Sequence, residues 1–354
     1  MSTKTPDGRK CRLALSAMLW ACLAQSVPAP AAESPAQLTA KYYQAAKKEG
    51  KIVIYGLGPP FLGPISDTFK KRYPGIQIEA FDESGRETRE RIIAEQKTGR
   101  VIGDVVIAGP SVHQTLADLG FIEPYQSSQI PNFLPELVPD GGFASPFRAS
   151  VFSMATNTKL VPAADEPKVW ADLLNPKLKG KMASDDPRGS GGGGGLMASL
   201  EAAFGTEFLQ KLAAQDIFFG KDTGTILAGL VRGEHALFIT ASHDDIIVAR
   251  KSGAPVKFLK PKDGIRAAGN FQSIAKNAPH PNTAKLWVEW STSEEGQQML
   301  GKVGLAASRK GVVPAEPEAD LRGVKLLPVV QTRQDMNYLK ERTKRFETIF
   351  FKKN

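Results

Sequence analysis

Cysteine is nearly absent from this sequence of 354 residues, and both cysteines, Cys11 and Cys22, lie close to the N-terminus. The N-terminal segment that contains them has the features of a cleaved leader. If that leader is removed, the mature chain has no thiol. Disulfide bonds, cysteine catalysis and thiolate metal sites are then excluded from the mature protein.

A long apolar run is also missing at the N-terminus, where residues 13–23 are apolar apart from Ser16. This run is about half as long as a membrane span of ~20 residues. Small residues follow at Ala29 and Ala31. Four cations precede the run: Lys4, Arg9, Lys10 and Arg12. This pattern predicts a signal peptide over residues 1–31 and a periplasmic mature protein.

A lipid anchor on Cys22 is the alternative to simple cleavage. Trp20 stands two residues before this cysteine. A bulky indole is a poor match to the small residues that resemble a lipid-attachment motif, so the cleaved, soluble form is favoured.

Positive charge is in modest excess and is not concentrated in one run of residues. The formal net charge is +9, and about a third of it belongs to the leader. The basic residues 340–353 are interleaved with Glu341, Glu347 and apolar side chains, a pattern typical of an amphipathic helix. Nucleic-acid binding is therefore disfavoured, and a mildly basic surface suits an anionic solute.

Alternating strand and helix patterns run through most of the chain. In the first part, strands are predicted at 51–55, 76–81 and 104–108, and helices at 38–48, 64–72 and 88–97. In the second part, strands are predicted at 150–156, 181–183 and 236–239, and helices at 170–174, 196–204 and 207–214. Such alternation predicts an α/β fold, a parallel sheet with helices on both faces. Ligands of such sheets bind beyond the carboxyl ends of the strands, so two α/β lobes would form a cleft between them.

Six segments resemble the periplasmic solute-binding proteins of the ferric-iron type of ABC importer, over roughly residues 40–310. They are AAKKEGKIVIY at 45–55, FKKRYPGI at 69–76, GDVV at 103–106, WADLLNPKLKGK at 170–181, APHPNTAK at 278–285 and STSEEGQQ at 291–298. The resemblance implies a type II periplasmic-binding fold, with two α/β lobes that close on a ligand by a hinge. It also implies a non-enzymatic, monomeric receptor without a cofactor, which delivers a small solute to an inner-membrane permease.

The resemblance also suggests how the chain is divided. Residues 32–150 and 268–310 are expected to form lobe 1, and residues 151–267 lobe 2. Residues 311–354 are expected to form a C-terminal helical segment that the sequence does not assign to a lobe.

The alternative functions are a ferric-ion-binding protein and, less favoured, an exported hydrolase. Ferric-ion binders of this type use a tandem tyrosine pair, but this chain has Ser242, His243 and Asp244 after the corresponding strand. An exported hydrolase would need a catalytic motif, and no nucleophile elbow, zinc-protease motif or phosphate-binding loop is found. A small organic anion, such as a carboxylate, a phosphonate or a phosphate ester, is therefore the favoured ligand.

The candidate ligand contacts lie in the loops that follow the predicted strands. The family's anion site is a Ser-Gly pair before a lobe-2 helix, which here corresponds to Ser190 and Gly191, with Arg188 as a possible carboxylate or phosphonate clamp. A plain flexible linker is the alternative reading of glycines 191–195, and a hinge salt bridge is the alternative for Arg148. The remaining candidates are Gly58, Ser84, Arg86, Ser111, Thr223, Thr225, Ser242, His243 and Asp244.

Overall fold

The computed structural model describes residues 33–58, 61–189, 192–220, 222–329 and 336–352. The predicted signal peptide and the pair Ser190 and Gly191 lie outside these residues. From Ser34 onwards the chain forms one compact unit. Within the described residues, no helix has both the length and the apolar character needed to cross a membrane.

Eleven α-helices and eleven strands are described. The helices are α1 Pro35–Glu49, α2 Leu62–Arg72, α3 Gly85–Thr98, α4 Pro110–Asp118, α5 Gly192–Phe204, α6 Thr206–Ala213, α7 Thr223–Arg232, α8 His243–Lys251, α9 Pro281–Thr292, α10 Glu294–Lys302 and α11 Met336–Phe350. The strands are β1 Lys51–Tyr55, β2 Gln77–Phe81, β3 Val105–Ala108, β4 Ile122–Glu123, β5 Ser145–Asn157, β6 Met182–Asp185, β7 Phe218–Gly220, β8 Leu237–Ser242, β9 Val256–Leu259, β10 Arg266–Ala275 and β11 Ala306–Ala307. Short 3-10 helices occupy Ile130–Asn132, Pro135–Leu137, Trp170–Leu174, Pro176–Leu178 and Pro317–Ala319.

All the strands belong to one mixed sheet with the central order β2-β1-β3-β10-β5-β8-β6-β7. Strands β1, β2 and β3 are parallel to one another, as are β6, β7 and β8. The long strands β5 and β10 run antiparallel between these two sets. The predicted parallel sheet is therefore correct within each set and wrong for the sheet as a whole, because the two connecting strands reverse direction.

We call β1–β3 with their helices, α9 and α10 lobe 1, and β6–β8 with their helices lobe 2. Strands β1 and β3 of lobe 1 are buried on both faces, which explains their continuous apolar sequence, whereas the edge strand β2 is partly exposed. On β1, Ile52 and Ile54 pack in the cluster that contains Trp287 of α9, whereas Val53 packs with Ile92 of α3 on the opposite face.

Lobe 2 is built in the same way. On β8, Phe238 packs with Ile226 of α7 on one face, and Leu237 packs with Leu196 of α5 on the other. The C-terminal helix α11, expected from its amphipathic sequence, places the fully buried Phe346 in this second cluster. This helix therefore packs against lobe 2, whereas the sequence alone did not assign it to a lobe.

Two loop predictions were wrong. Glycines 192–195 are the first turn of α5, which begins at Gly192 rather than near Leu196. Residues 240–244 are also regular, because β8 continues to Ser242 and α8 begins at His243. In both places a helix follows its strand more closely than the polar, glycine-rich sequence suggested.

Candidate functional site

A cavity of about 460 Å³ lies between the lobes, at the carboxyl ends of the strands. Lobe 1 contributes the loop after β1, including Gly58, and Asp82 after β2. Lobe 2 contributes Ser242, Asp244 and Asp245. A methyl group on Gly58 would fall 2.1 Å from the Asp82 carboxyl carbon, so glycine is required where these two loops meet.

Arg148 of β5 lines this cavity and forms an ion pair with Asp244 at the start of α8, with 2.5 Å between Nη1 and Oδ2. Burial would raise the pKa of Asp244, but the Arg148 guanidinium and the neighbouring His243 together hold that pKa below its usual range. The pair matches the salt-bridge alternative for Arg148. It also places both sequence-predicted residues in the wall of the cavity.

Asp245 lies next to this pair and has no hydrogen-bond donor among the described residues. Burial raises its pKa to about 6, and the neighbouring Asp244 carboxylate adds to the effect. Arg148 opposes the rise, and Asp185 adds to it. The cavity therefore contains a carboxyl group that titrates close to neutral pH.

We expect Asp245→Asn to stabilise the protein only where the carboxyl is ionised. The pKa is raised on folding, from about 4 in the unfolded chain to about 6, so ionisation opposes folding above about pH 6 and not below about pH 4. The substitution should raise the unfolding free energy by about 2 kcal/mol at about pH 7.5 and change it little at about pH 4. Urea unfolding at the two pH values measures this. The exposed Asp67→Asn is the control, and equal stabilisation at both pH values would contradict the expectation.

Three lobe-1 candidates make only local contacts. Ser84 is the N-cap of α3, and its hydroxyl both donates to and accepts from Glu87 in a capping box. Arg86 is exposed and pairs with Glu90 one turn later, with 2.9 Å between Nε and Oε1. Ser111 lies exposed in the first turn of α4. None of the three lines the cavity.

The lobe-2 candidates Thr223 and Thr225 lie in the first turn of α7, whose N-cap is Asp222. The Thr225 hydroxyl donates to Asp222 at 2.8 Å. The Thr223 hydroxyl donates to the Asp185 carboxylate at 3.0 Å. The Thr223 contact therefore ties α7 to the last residue of β6, whereas the Thr225 contact is local to the N-terminus of α7.

Arg188 already has an ion-pair partner in its own loop. Its guanidinium donates to the Asp186 carboxylate through Nε at 2.9 Å and Nη2 at 2.6 Å. It also lies over the ring of Phe351, 4.1 Å from the ring centre. The predicted anion clamp is thus already occupied by an aspartate two residues away.

His243 is fully buried, and neither ring nitrogen has a hydrogen-bond partner among the described residues. Its ring packs edge-on against Phe258. Of the three residues predicted after β8, Ser242 and Asp244 therefore reach the cavity and His243 does not.

The first turn of α5 is packed too closely to be a flexible linker. Methyl groups on glycines 192, 193 and 194 would fall 2.3 Å from the Phe152 ring, 2.5 Å from Asp185 Cβ and 1.9 Å from the Gly189 carbonyl oxygen, respectively. A methyl group on Gly195 would fall 2.8 Å from Nη2 of Arg266. Close approach of neighbouring groups therefore explains the glycine run.

Arg266, which the sequence reasoning missed, is the unusual side chain near this turn. Its Nε is buried without a hydrogen-bond partner, and the described residues supply no carboxylate or carbonyl that accepts from its guanidinium. It lies over the Phe152 ring at 5.3 Å. Burial, together with the positive charge of Arg342, lowers the pKa of Arg266 to about 10.

Strand register connects Arg266 to the cavity. Arg266 is paired with Phe152 of β5, and Phe152 is paired with the cavity-lining Ser242 of β8. Paired residues point to the same face of a sheet, and neighbouring strands are ~5 Å apart. Arg266 therefore lies about two strand spacings from the cavity wall, on the same face.

A larger cavity of about 710 Å³ lies in lobe 2, lined by loop residues that include Leu160, Lys168 and Lys177. It is away from the carboxyl ends of the strands, and none of the candidate residues lines it. We assign the ligand to the smaller cavity because residues of both lobes converge there. In the described ranges, no group of three or more His, Cys, Asp or Glu side chains is placed to hold a metal ion.

The sequence of this chain matches a described protein family over most of its length. The sequence model of the family "Bacterial extracellular solute-binding protein" matches residues 65–322. A Haemophilus influenzae protein named "Uncharacterized protein" is 26% identical over 273 residues, which cover 73% of this chain and 78% of that protein. A Salmonella typhi protein named "Putative 2-aminoethylphosphonate-binding periplasmic protein" is 24% identical over 263 residues, or 71% of this chain and 74% of that protein.

Solved structures share the fold. The substrate-binding protein of an ABC transporter from Agrobacterium tumefaciens superposes with a TM-score of 0.72 at 18% identity. The superposition covers 87% of this chain and 97% of that one. It confirms the predicted type II periplasmic-binding fold, two α/β lobes with a cleft between them.

Proposed function

Because the chain belongs to the family of bacterial extracellular solute-binding proteins, we propose that it captures a small organic anion for an ABC importer. The anion binds in the cleft between the lobes, and the loaded protein delivers it from the periplasm to an inner-membrane permease. The protein binds its solute without chemical change.

The observation that carries this proposal is the unpartnered Arg266 against the first turn of α5. A buried guanidinium without a counterion costs several kcal/mol of desolvation. An anionic ligand offsets that cost by accepting its hydrogen bonds. The N-terminus of α5 adds free backbone N–H groups and the positive end of the helix dipole at the same place.

Carboxylates, phosphonates and phosphate esters all fit this chemistry. The name of the Salmonella relative supports the phosphonate class. Ser190 and Gly191 immediately precede α5 in the sequence but lie outside the described residues, and their contact with the anion stays a prediction.

We expect Arg266→Gln to weaken anion binding by about tenfold to a hundredfold, because a hydrogen bond to a charged group contributes about 1.5–3 kcal/mol. A thermal-shift screen of carboxylates, phosphonates and phosphate esters identifies the ligand, and calorimetric titration measures its affinity. The ligand-free variant should be at least as stable as the wild type, because the substitution removes a half-buried charge whose Nε has no hydrogen-bond partner among the described residues.

Arg188→Gln is the matched control, since Arg188 is already paired with Asp186 and should affect affinity by less than about threefold. If Arg188→Gln weakens binding more than Arg266→Gln does, the anion binds at Arg188, as the sequence suggested. If the screen finds binding only of neutral or cationic solutes, the anion proposal fails.

A further inference from the structure

We propose that the solute carries an ammonium group in addition to its anionic group, and that Asp82 and Asp245 bind this ammonium in the cavity between the lobes. The inference rests on the proposed function, because it concerns the other end of the molecule whose anionic end lies at Arg266. It assigns the solute to a narrower class, the zwitterions that carry their two charges at opposite ends of a short chain.

The wall of this cavity is acidic. Asp82 of lobe 1 lines it, as do Asp244 and Asp245 of lobe 2. Among the described residues of the wall, Arg148 is the only cation, and it is paired with Asp244. Asp82 and Asp245, one from each lobe, are therefore left without a counter-charge in the wall. This cavity repels an anionic group and attracts a cationic one from both lobes.

Hydrogen-bond acceptors in the acidic wall are also unused. No group of the described residues donates to the carboxylate of Asp82 or of Asp245. Oδ1 of Asp244, the oxygen that does not accept from Arg148, is buried and has no hydrogen-bond partner in the same part of the chain. Burial and the Asp244 charge disfavour the ionised form of Asp245 and raise its pKa to about 6. A bound ammonium, with three N–H donors and a positive charge, offsets both effects.

An apolar side chain connects the acidic wall to Arg266. Arg266 and the cavity-lining Ser242 are paired in register with Phe152 of β5, from opposite sides. Phe152 therefore lies between them on the same face of the sheet, and its partly buried ring also contacts the Arg266 guanidinium. The separation of Arg266 from Ser242 is about two strand spacings, or roughly 10 Å. A chain of about three carbon atoms with a charged group at each end, each making a hydrogen bond of ~3 Å, covers this distance.

The test compares probes that differ only in the ammonium group. 3-Aminopropylphosphonate has the shape of butylphosphonate, and 4-aminobutanoate has the shape of pentanoate, because an ammonium replaces a methyl group in each pair. At about pH 7.5 Asp245 is ionised, since this pH lies above its pKa of about 6. Calorimetric titration of the mature protein should then show the amino compound of at least one pair binding about tenfold more tightly than its alkyl partner.

Asp245→Asn removes the lobe-2 charge and keeps the size of the side chain. It should weaken binding of the amino compound about tenfold and change binding of the alkyl partner by less than about threefold. Because this variant is expected to be more stable than the wild type at the same pH, unfolding does not explain such a loss. Asp82→Asn should act in the same direction from lobe 1. Asp67→Asn is the control, since it removes an equal charge from an exposed position on α2 and should leave the ratio of the two affinities unchanged.

Three results would overturn the inference, and each has a different consequence for the proposed function. If the alkyl compounds bind as tightly as the amino compounds, the cavity does not select an ammonium and the proposed anion site stands. If the amino compounds bind more tightly but the Asp82 and Asp245 variants keep the full preference, the ammonium binds elsewhere. If none of the four compounds binds the wild-type protein, the inference fails, and the screen of anions alone decides whether the proposed function fails with it.

Discussion

Asp104→Ala is expected to destabilise the protein by about 3–5 kcal/mol, the range found when one partner of a buried charged network is removed. Asp104 is fully buried at the start of β3. Its carboxylate accepts from the backbone N–H of Val53 on β1, and from the backbone N–H and ring Nδ1 of His280, each at 2.8 Å. Alanine leaves two backbone N–H groups of lobe 1 without acceptors.

Urea unfolding at neutral pH measures this effect. Asp67→Ala is the control, because Asp67 is an exposed aspartate on α2 and its removal should change the unfolding free energy by less than about 0.5 kcal/mol. Asp104→Asn keeps one acceptor oxygen and should fall between the two. A loss within about 1 kcal/mol of the Asp67 control would show that water replaces the missing carboxylate.

Gly194→Ala is the second substitution with a large expected effect. Its methyl group would lie 1.9 Å from the Gly189 carbonyl oxygen and 2.8 Å from that of Pro187. Both contacts are with backbone, so α5 or the preceding loop must shift. Overpacking of this kind costs about 3 kcal/mol and should also weaken anion binding, because the same turn forms part of the proposed anion site.

The sign of the stability change caused by Gly194→Ala distinguishes a closely packed turn from a flexible linker. In an open helical position, alanine stabilises relative to glycine by up to about 1 kcal/mol. Gly224 provides that control, since it is exposed in the first turn of α7 and a methyl group there would meet only Oδ1 of the exposed Asp222 side chain, at 3.3 Å. Thermal unfolding of both variants should give shifts of opposite sign. If Gly194→Ala stabilises the protein, the interpretation of these glycines as a flexible linker is correct.

The local elements were largely predictable because their signals are local. Gly50 ends α1 in the left-handed conformation with φ of 68°, and the apolar runs of β1, β3 and β8 mark strands buried on both faces. A residue of one family motif also has a structural role. Gln297, fully buried in α10, donates to the Phe147 carbonyl oxygen at 2.7 Å and thereby ties the helix to β5.

The binding site was predicted less well, because its groups are brought together by tertiary packing. Arg266 is far in sequence from α5, and no spacing rule links the two. Asp82 and Asp245 are also far apart in the sequence, and both line the cavity because the two lobes face each other. The clamp role of Arg188 stays a prediction, and the ion pair with Asp186, two residues away, would compete with an anion for its guanidinium.

The first and last helices described pack against different lobes. Glu49 of α1 accepts hydrogen bonds from Asn282 and Thr283 of α9, whereas α11 is fixed to lobe 2. Any rotation of the lobes therefore alters the separation of α1 and α11. Because the sequence contains no cysteine after Cys22, thiols introduced at the exposed Lys48 and Lys344 could carry a donor and an acceptor dye. The protein then becomes a fluorescent sensor, in which energy transfer reports solute capture without any contact between the dyes and the cleft.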